Sequence, residues 1–262
     1  MPTTRTFVHL LLSLLAACAS APSLPPETAP LLRQALDGEA LYTVAGGLKP
    51  VSEGFWHAWI DVAAPDLGAV ASTRSVLAAW RTEALWADVH VMHEAHDGKR
   101  AARAYVVDRA ALAALLQRER PFFAPYGLLP DTHPAEVLAV VERLPKLDRH
   151  RGQGLLFGYP QHAIDFFVQA AAERGADAPV VPRRFVDIPT FGSAKGRFVY
   201  AVAADAAELP ADRELAAAAA RILDRYRALR PSDSTDADGL QQAVRTLRAE
   251  FAGGAATRAT QP

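Results

Sequence analysis

Cysteine is nearly absent: one residue in 262, Cys18, which excludes an intramolecular disulfide and any zinc site built on thiolates. An excess of either charge is absent as well. The 28 Lys and Arg residues balance 29 Asp and Glu to a formal −1, with an isoelectric point near 6.7, so no broad basic surface marks nucleic acid as a partner. Lysine is confined to Lys49, Lys99, Lys146 and Lys195, and with the many alanines this bias reads as genome composition. Past residue 17 no apolar run approaches the ~20 residues of a membrane-spanning helix, and no repeat of about 20–50 residues is visible. What is plentiful is hydrophobic content. At 50% hydrophobic residues and a mean hydropathy of +0.03, the chain can bury one sizeable core or two small ones, which excludes global disorder.

The N-terminus has its own logic. After Arg5, its only charge, comes an apolar run from Phe7 to Ala17 that ends at Cys18. Eleven helical residues reach only ~16 Å, about half the hydrocarbon thickness, so the run fits a secretory signal and not a permanent span. Its end, Leu15-Ala16-Ala17-Cys18, resembles the lipobox of bacterial lipoproteins. The resemblance covers only this segment. It implies that residues 1–17 are removed as a signal peptide, that the Cys18 sulfur carries a diacylglycerol and its new amine an acyl chain such as palmitate, and that the bilayer is a partner through acylated Cys18. Three acyl chains exceed the two signals that stable attachment needs. Ala19 in place of an aspartate leans, within that family, towards the periplasmic face of the outer membrane if the source is Gram-negative. Residues 18–30 are small and Pro-rich and read as a semi-extended tether.

For residues 31–251 the patterning predicts a single α+β domain: one mixed or antiparallel sheet of about five to seven strands with helices packed on it. Division near Pro145–Gly152 is the alternative. Strand signals fall at about Ala40–Ala45, Phe55–Val62, Trp86–His93, Ala101–Val107, Gly154–Gly158, Arg184–Ile188 and Arg197–Ala203. Asp97-Gly98 marks a hairpin between the third and fourth. Asp108 suits an N-cap, Pro160 a helix start, and two long amphipathic helices close the chain. Residues 252–262 read as a flexible tail.

Three constellations carry candidate chemistry. Asp88 to Asp97 holds His90, His93 and His96 with three carboxylates, which suggests metal carriage. Alternation along a strand sends His90 and His93 to opposite faces, so incidental histidines on a solvated hairpin are preferred and no metal site is assigned. Arg151 to His162 reads as a glycine-flanked strand turning into a helix, a junction that suits ligands, with Arg151 and Tyr159 beside it. His162 and Asp165, three apart on that helix, could act as a base and its orienter, but the buried stripe Ile164, Phe167, Val168 and Ala171 makes a solvated helix face the preferred reading. Lys49 and Glu53 flank the start of an aromatic-rich strand, read as central and covered on both faces; an ordinary salt bridge is the preferred reading, and a pocket lined at its mouth is the alternative. No dinucleotide fingerprint, P-loop or nucleophile elbow is present, so no cofactor is assigned and the catalytic residues are unknown. These readings favour an envelope lipoprotein that binds a protein or small-molecule ligand without catalysis. The alternative is a lipid-anchored hydrolase or other small-molecule enzyme with its cleft near Tyr159–His162.

Overall fold

The computed structural model describes residues 24–173, 180–195 and 198–251. In chain order they form α1 (Ala29–Asp37), α2 (Leu41–Val44), β1 (Val51–Asp61), α3 (Gly68–Ala78), β2 (Leu85–His96), β3 (Lys99–Asp108), α4 (Arg109–Arg118) and α5 (Arg120–Phe123). Then follow α6 (Pro134–Glu142), α7 (Lys146–Leu156), α8 (Gln161–Glu173), β4 (Arg183–Ile188), β5 (Phe198–Ala203), α9 (Pro210–Leu229) and α10 (Ala237–Phe251). The class is α+β. The single sheet of about five to seven strands is not formed. The described residues instead make two small antiparallel sheets, one of three strands in the order β1-β3-β2 and one of the two strands β4-β5.

Two expected strands are helical, each for a physical reason. Leu41–Val44 is buried on every side, so its apolar run lacks the alternation that separates strand from helix. In the stretch expected as a glycine-flanked strand, the glycines serve helix packing. A Cβ on Gly152 would lie 2.9 Å from Val141 Cγ1 on α6, and one on Gly154 would lie 2.9 Å from Ile164 Cγ1 on α8. Their bare backbones therefore let α7 press against both neighbours. The junction before His162 is consequently helix to helix, reversed at Gly158 with φ +69°.

The Asp97-Gly98 hairpin joins β2 to β3, and both residues have positive φ (49° and 71°), as a type I′ turn requires. Strand β1 is an edge strand, not a central one. Its register shifts between Glu53 and His57, where Gly54 takes φ +83°. That bulge resets the alternation, so Phe55 and Ile60 both turn inward while His57 and Trp59 face water. Strand β3 is the doubly covered one. Ala102, Ala104 and Val106 enter a core built with α1, α2, α9 and α10, whereas Tyr105 and Val107 enter a second core under α4 to α8. The Pro-rich stretch joins the body early, since Leu24 packs on the first core and Thr28 and Ala29 are buried. The expected signal peptide, Cys18 and the expected tail at 252–262 lie outside the described residues.

Candidate functional site

A cleft of about 460 Å³ opens between the end of α1, the bulge of β1 and the loop after β4. Its volume lies in the range of small-molecule sites. Helix α1 ends at Gly38, and Gly192 of the loop donates its N–H to the Asp37 carbonyl at 2.8 Å, which ties the two walls together. Gln34, Asp37, Glu39, Glu53, His57 and Thr190 supply the polar lining.

Beneath the floor lies Lys49, with none of its surface exposed. Gly46 and Gly47, both at positive φ, turn the chain after α2 and deliver Lys49 inward. Its Nζ donates to Glu39 Oε2 at 2.5 Å and stands 4.3 Å from the Phe198 ring centroid. Burial pushes the Lys49 ammonium below the usual lysine range, and Glu39 pulls against that fall. Burial likewise pushes the Glu53 carboxyl above the usual carboxylate range. The Arg103 guanidinium, 3.0 Å away, opposes that rise, and Glu39 and Glu142 add to it. Behind Glu53 a cavity of about 20 Å³, large enough for one water, is bordered by His90, Glu142 and Gln153. Burial lowers the His90 pKa, with Glu142 opposing.

Every acid of the cleft has its own base. Asp37 receives a two-pronged contact from Arg230, Nε and Nη2 each at 2.7 Å, and a hydrogen bond from Tyr226 at 2.9 Å. With Glu39–Lys49 and Glu53–Arg103, the lining is rich in acceptor oxygens yet balanced in charge. Ser52 is occupied structurally: its Oγ lies 2.8 Å from Thr43 Oγ1 and donates to the Glu39 carbonyl at 3.2 Å.

Of the six residues singled out in the sequence, the fold gathers three. Lys49, Glu53 and Tyr159 arrive from separate segments. Tyr159 stacks on Phe198, the ring that also faces Lys49, with centroids 6.1 Å apart. Burial pushes its phenol above the ordinary range, and Glu39 and Glu53 add to that rise. The other three lie elsewhere. Arg151 pairs with Asp165 at 2.9 Å, and Gln161 donates to the same oxygen at 2.9 Å. His162 does not meet Asp165. Its Nε2 sits 3.1 Å from Asp212 Oδ1, outside hydrogen-bond geometry, while Asp212 accepts from Tyr200 at 2.6 Å and from the Leu209 N–H at 2.9 Å. A base–orienter pair on α8 is therefore not formed. The junction near Tyr159–His162 joins two helices, and a cavity of about 350 Å³ lined by Leu48, Leu155, Tyr159, Pro160, Gln161 and Leu215 opens beside it, separate from the cleft at the α1–β1 end. The Asp88–Asp97 hairpin brings no metal-holding group of three together among the described residues.

Sequence reasoning missed Glu39, Arg103 and Asp37. Only the spacing of Glu39, ten residues before Lys49 across a Gly-Gly turn, offered a signal for the pair. No protein-family model matches the chain, and neither a curated protein nor a solved structure matches it.

Proposed function

We propose that the protein is a lipid-anchored lipoprotein of the bacterial envelope whose cleft binds a neutral, polyhydroxylated, sugar-like ligand. The anchor reading is supported by the apolar run that stops at Leu15-Ala16-Ala17-Cys18. The observation that carries the binding reading is the charge-balanced cleft. Three carboxylates with private counter-ions present acceptors to hydroxyl hydrogens without a net charge that would demand an ionic partner. Exposed His57 and buried Thr190 add donors and acceptors at the mouth and wall.

One observation favours hydrolysis as a second reading. Glu53 is held protonated to higher pH than an ordinary glutamate, and it shares the cleft with Glu39, which is fixed on an ammonium. A carboxylic acid and a carboxylate in one cleft are the groups that glycoside hydrolysis uses.

Titration with maltotriose and chitotriose, beside galacturonate and glucosamine as charged counterparts, separates the readings. Binding predicts that a neutral sugar raises the melting temperature. At a hundredfold excess over Kd the gain is about 2.7 kcal/mol, or roughly 5–11 °C, and His57→Ala should abolish it. Hydrolysis predicts loss of the trisaccharide with time, abolished by Glu53→Gln with binding retained. A preference for the charged sugars would refute the cleft assignment.

A further inference from the structure

The described chain enters the body at Leu24, and Leu24 forms part of the wall of a second cavity, about 240 Å³, on the side of the first core. Its walls are apolar, with Leu32, Trp80, Leu85 and Val244 around the interior and Arg245 among the rim residues. Trp80 stacks on Phe55 with centroids 5.8 Å apart, and it is 6% exposed. Its indole N–H has no hydrogen-bond partner among the described residues.

We infer that this cavity houses one acyl chain of the protein's own anchor on Cys18. The inference rests on the lipoprotein reading. Five residues separate Cys18 from Leu24, so the six Cα–Cα steps between them span at most about 21 Å. Acylation of Cys18 would hold an apolar chain within that reach of the opening. A linker this short gives an effective concentration in the millimolar range, enough to fill even a weak site. Arg245 hydrogen-bonds Gln242 and has no acidic partner among the described residues, so the rim keeps a positive charge suited to the phosphates of neighbouring lipids.

The test uses dibromostearate, a fatty acid whose bromines quench tryptophan at contact. The mature chain from residue 18, made without lipid as Cys18→Ser, should show saturable quenching at one acid per protein. Trp80→Phe should remove that signal, and Val244→Glu, checked for native circular dichroism, should prevent binding. The lipidated protein in nanodiscs should need at least about tenfold more free acid for the same quenching, because its own chain competes. Absence of quenching in the Cys18→Ser chain would overturn the acyl site. Equal quenching in both forms would overturn the anchor as occupant. An intact mass showing an unmodified Cys18 would remove the occupant and the lipoprotein reading together, whatever the titration shows.

Discussion

Glu39→Leu should destabilise the protein more than Lys49→Met, although both cut the same 2.5 Å ion pair. The difference lies in access to water. The Lys49 side chain is 0% exposed and that of Glu39 is 21% exposed. When Lys49 becomes methionine, an apolar chain of similar length fills the space beside Phe198, and the Glu39 carboxylate can turn towards the cleft and hydrate. Losing Glu39 instead strands an ammonium where no water reaches it, a loss of about 3–5 kcal/mol, or roughly 6–20 °C in melting temperature for a chain of this size. Lys49→Met should cost about 1–2 kcal/mol, the order of one net charge-assisted hydrogen bond. Urea denaturation followed by circular dichroism at neutral pH measures both.

A pH arm sharpens this prediction. Burial holds the folded-state Lys49 pKa below its unfolded value, so between the two the unfolded chain binds more protons and stability rises with pH. Without Glu39 the folded value falls further, so the Glu39→Leu protein should gain stability from neutral pH towards pH ~10 more steeply than the parent. Equal losses for the two variants, or a flat pH response in Glu39→Leu, would refute the reasoning.

Glu53→Gln should change the acid side of the profile. Burial raises the folded-state pKa of Glu53, so its contribution is present below the unfolded value of about 4.3 and is lost as pH rises through the raised one. The deficit of Glu53→Gln relative to the parent should therefore shrink between pH 4 and 7 in urea melts, and a growing deficit would contradict the assignment. Gly154→Ala should cost about 1–3 kcal/mol because its Cβ would meet Ile164 Cγ1 at 2.9 Å, and the double variant with Ile164→Ala, which removes that atom, should lose less than the sum of the two single changes. Gly54→Ala meets nothing within 4 Å, so its cost of about 1–2 kcal/mol comes from φ +83° alone. A second change at Phe55 should not relieve it.

Much of the secondary structure was legible because local chemistry dictated it. The Asp97-Gly98 turn, the Asp108 cap on Ala111 N–H at 2.9 Å, and the helix after Pro160 each depend on neighbours in sequence. The sheet count was not, because short buried runs such as Leu41–Val44 carry no periodicity. Gly152 and Gly154 looked like strand punctuation, yet they answer to Val141 and Ile164 on other helices. The site was half legible for a similar reason. Lys49 and Glu53 stood out beside their glycines, but Glu39, Arg103 and Phe198 are their partners only after α1, β3 and β5 close around them. His162 and Asp165 shared a helix face in principle, whereas in the fold Asp165 pairs with Arg151 and His162 lies beside Asp212 without a hydrogen bond to it.

The proposed anchor, on which the proposed cellular setting depends, can be weighed directly. Intact-mass analysis of the protein purified from its native envelope should show a polypeptide beginning at residue 18, heavier than its sequence by a diacylglyceryl group and an amide-linked acyl chain. A chain that begins at Met1 and carries a free Cys18 thiol would contradict the account.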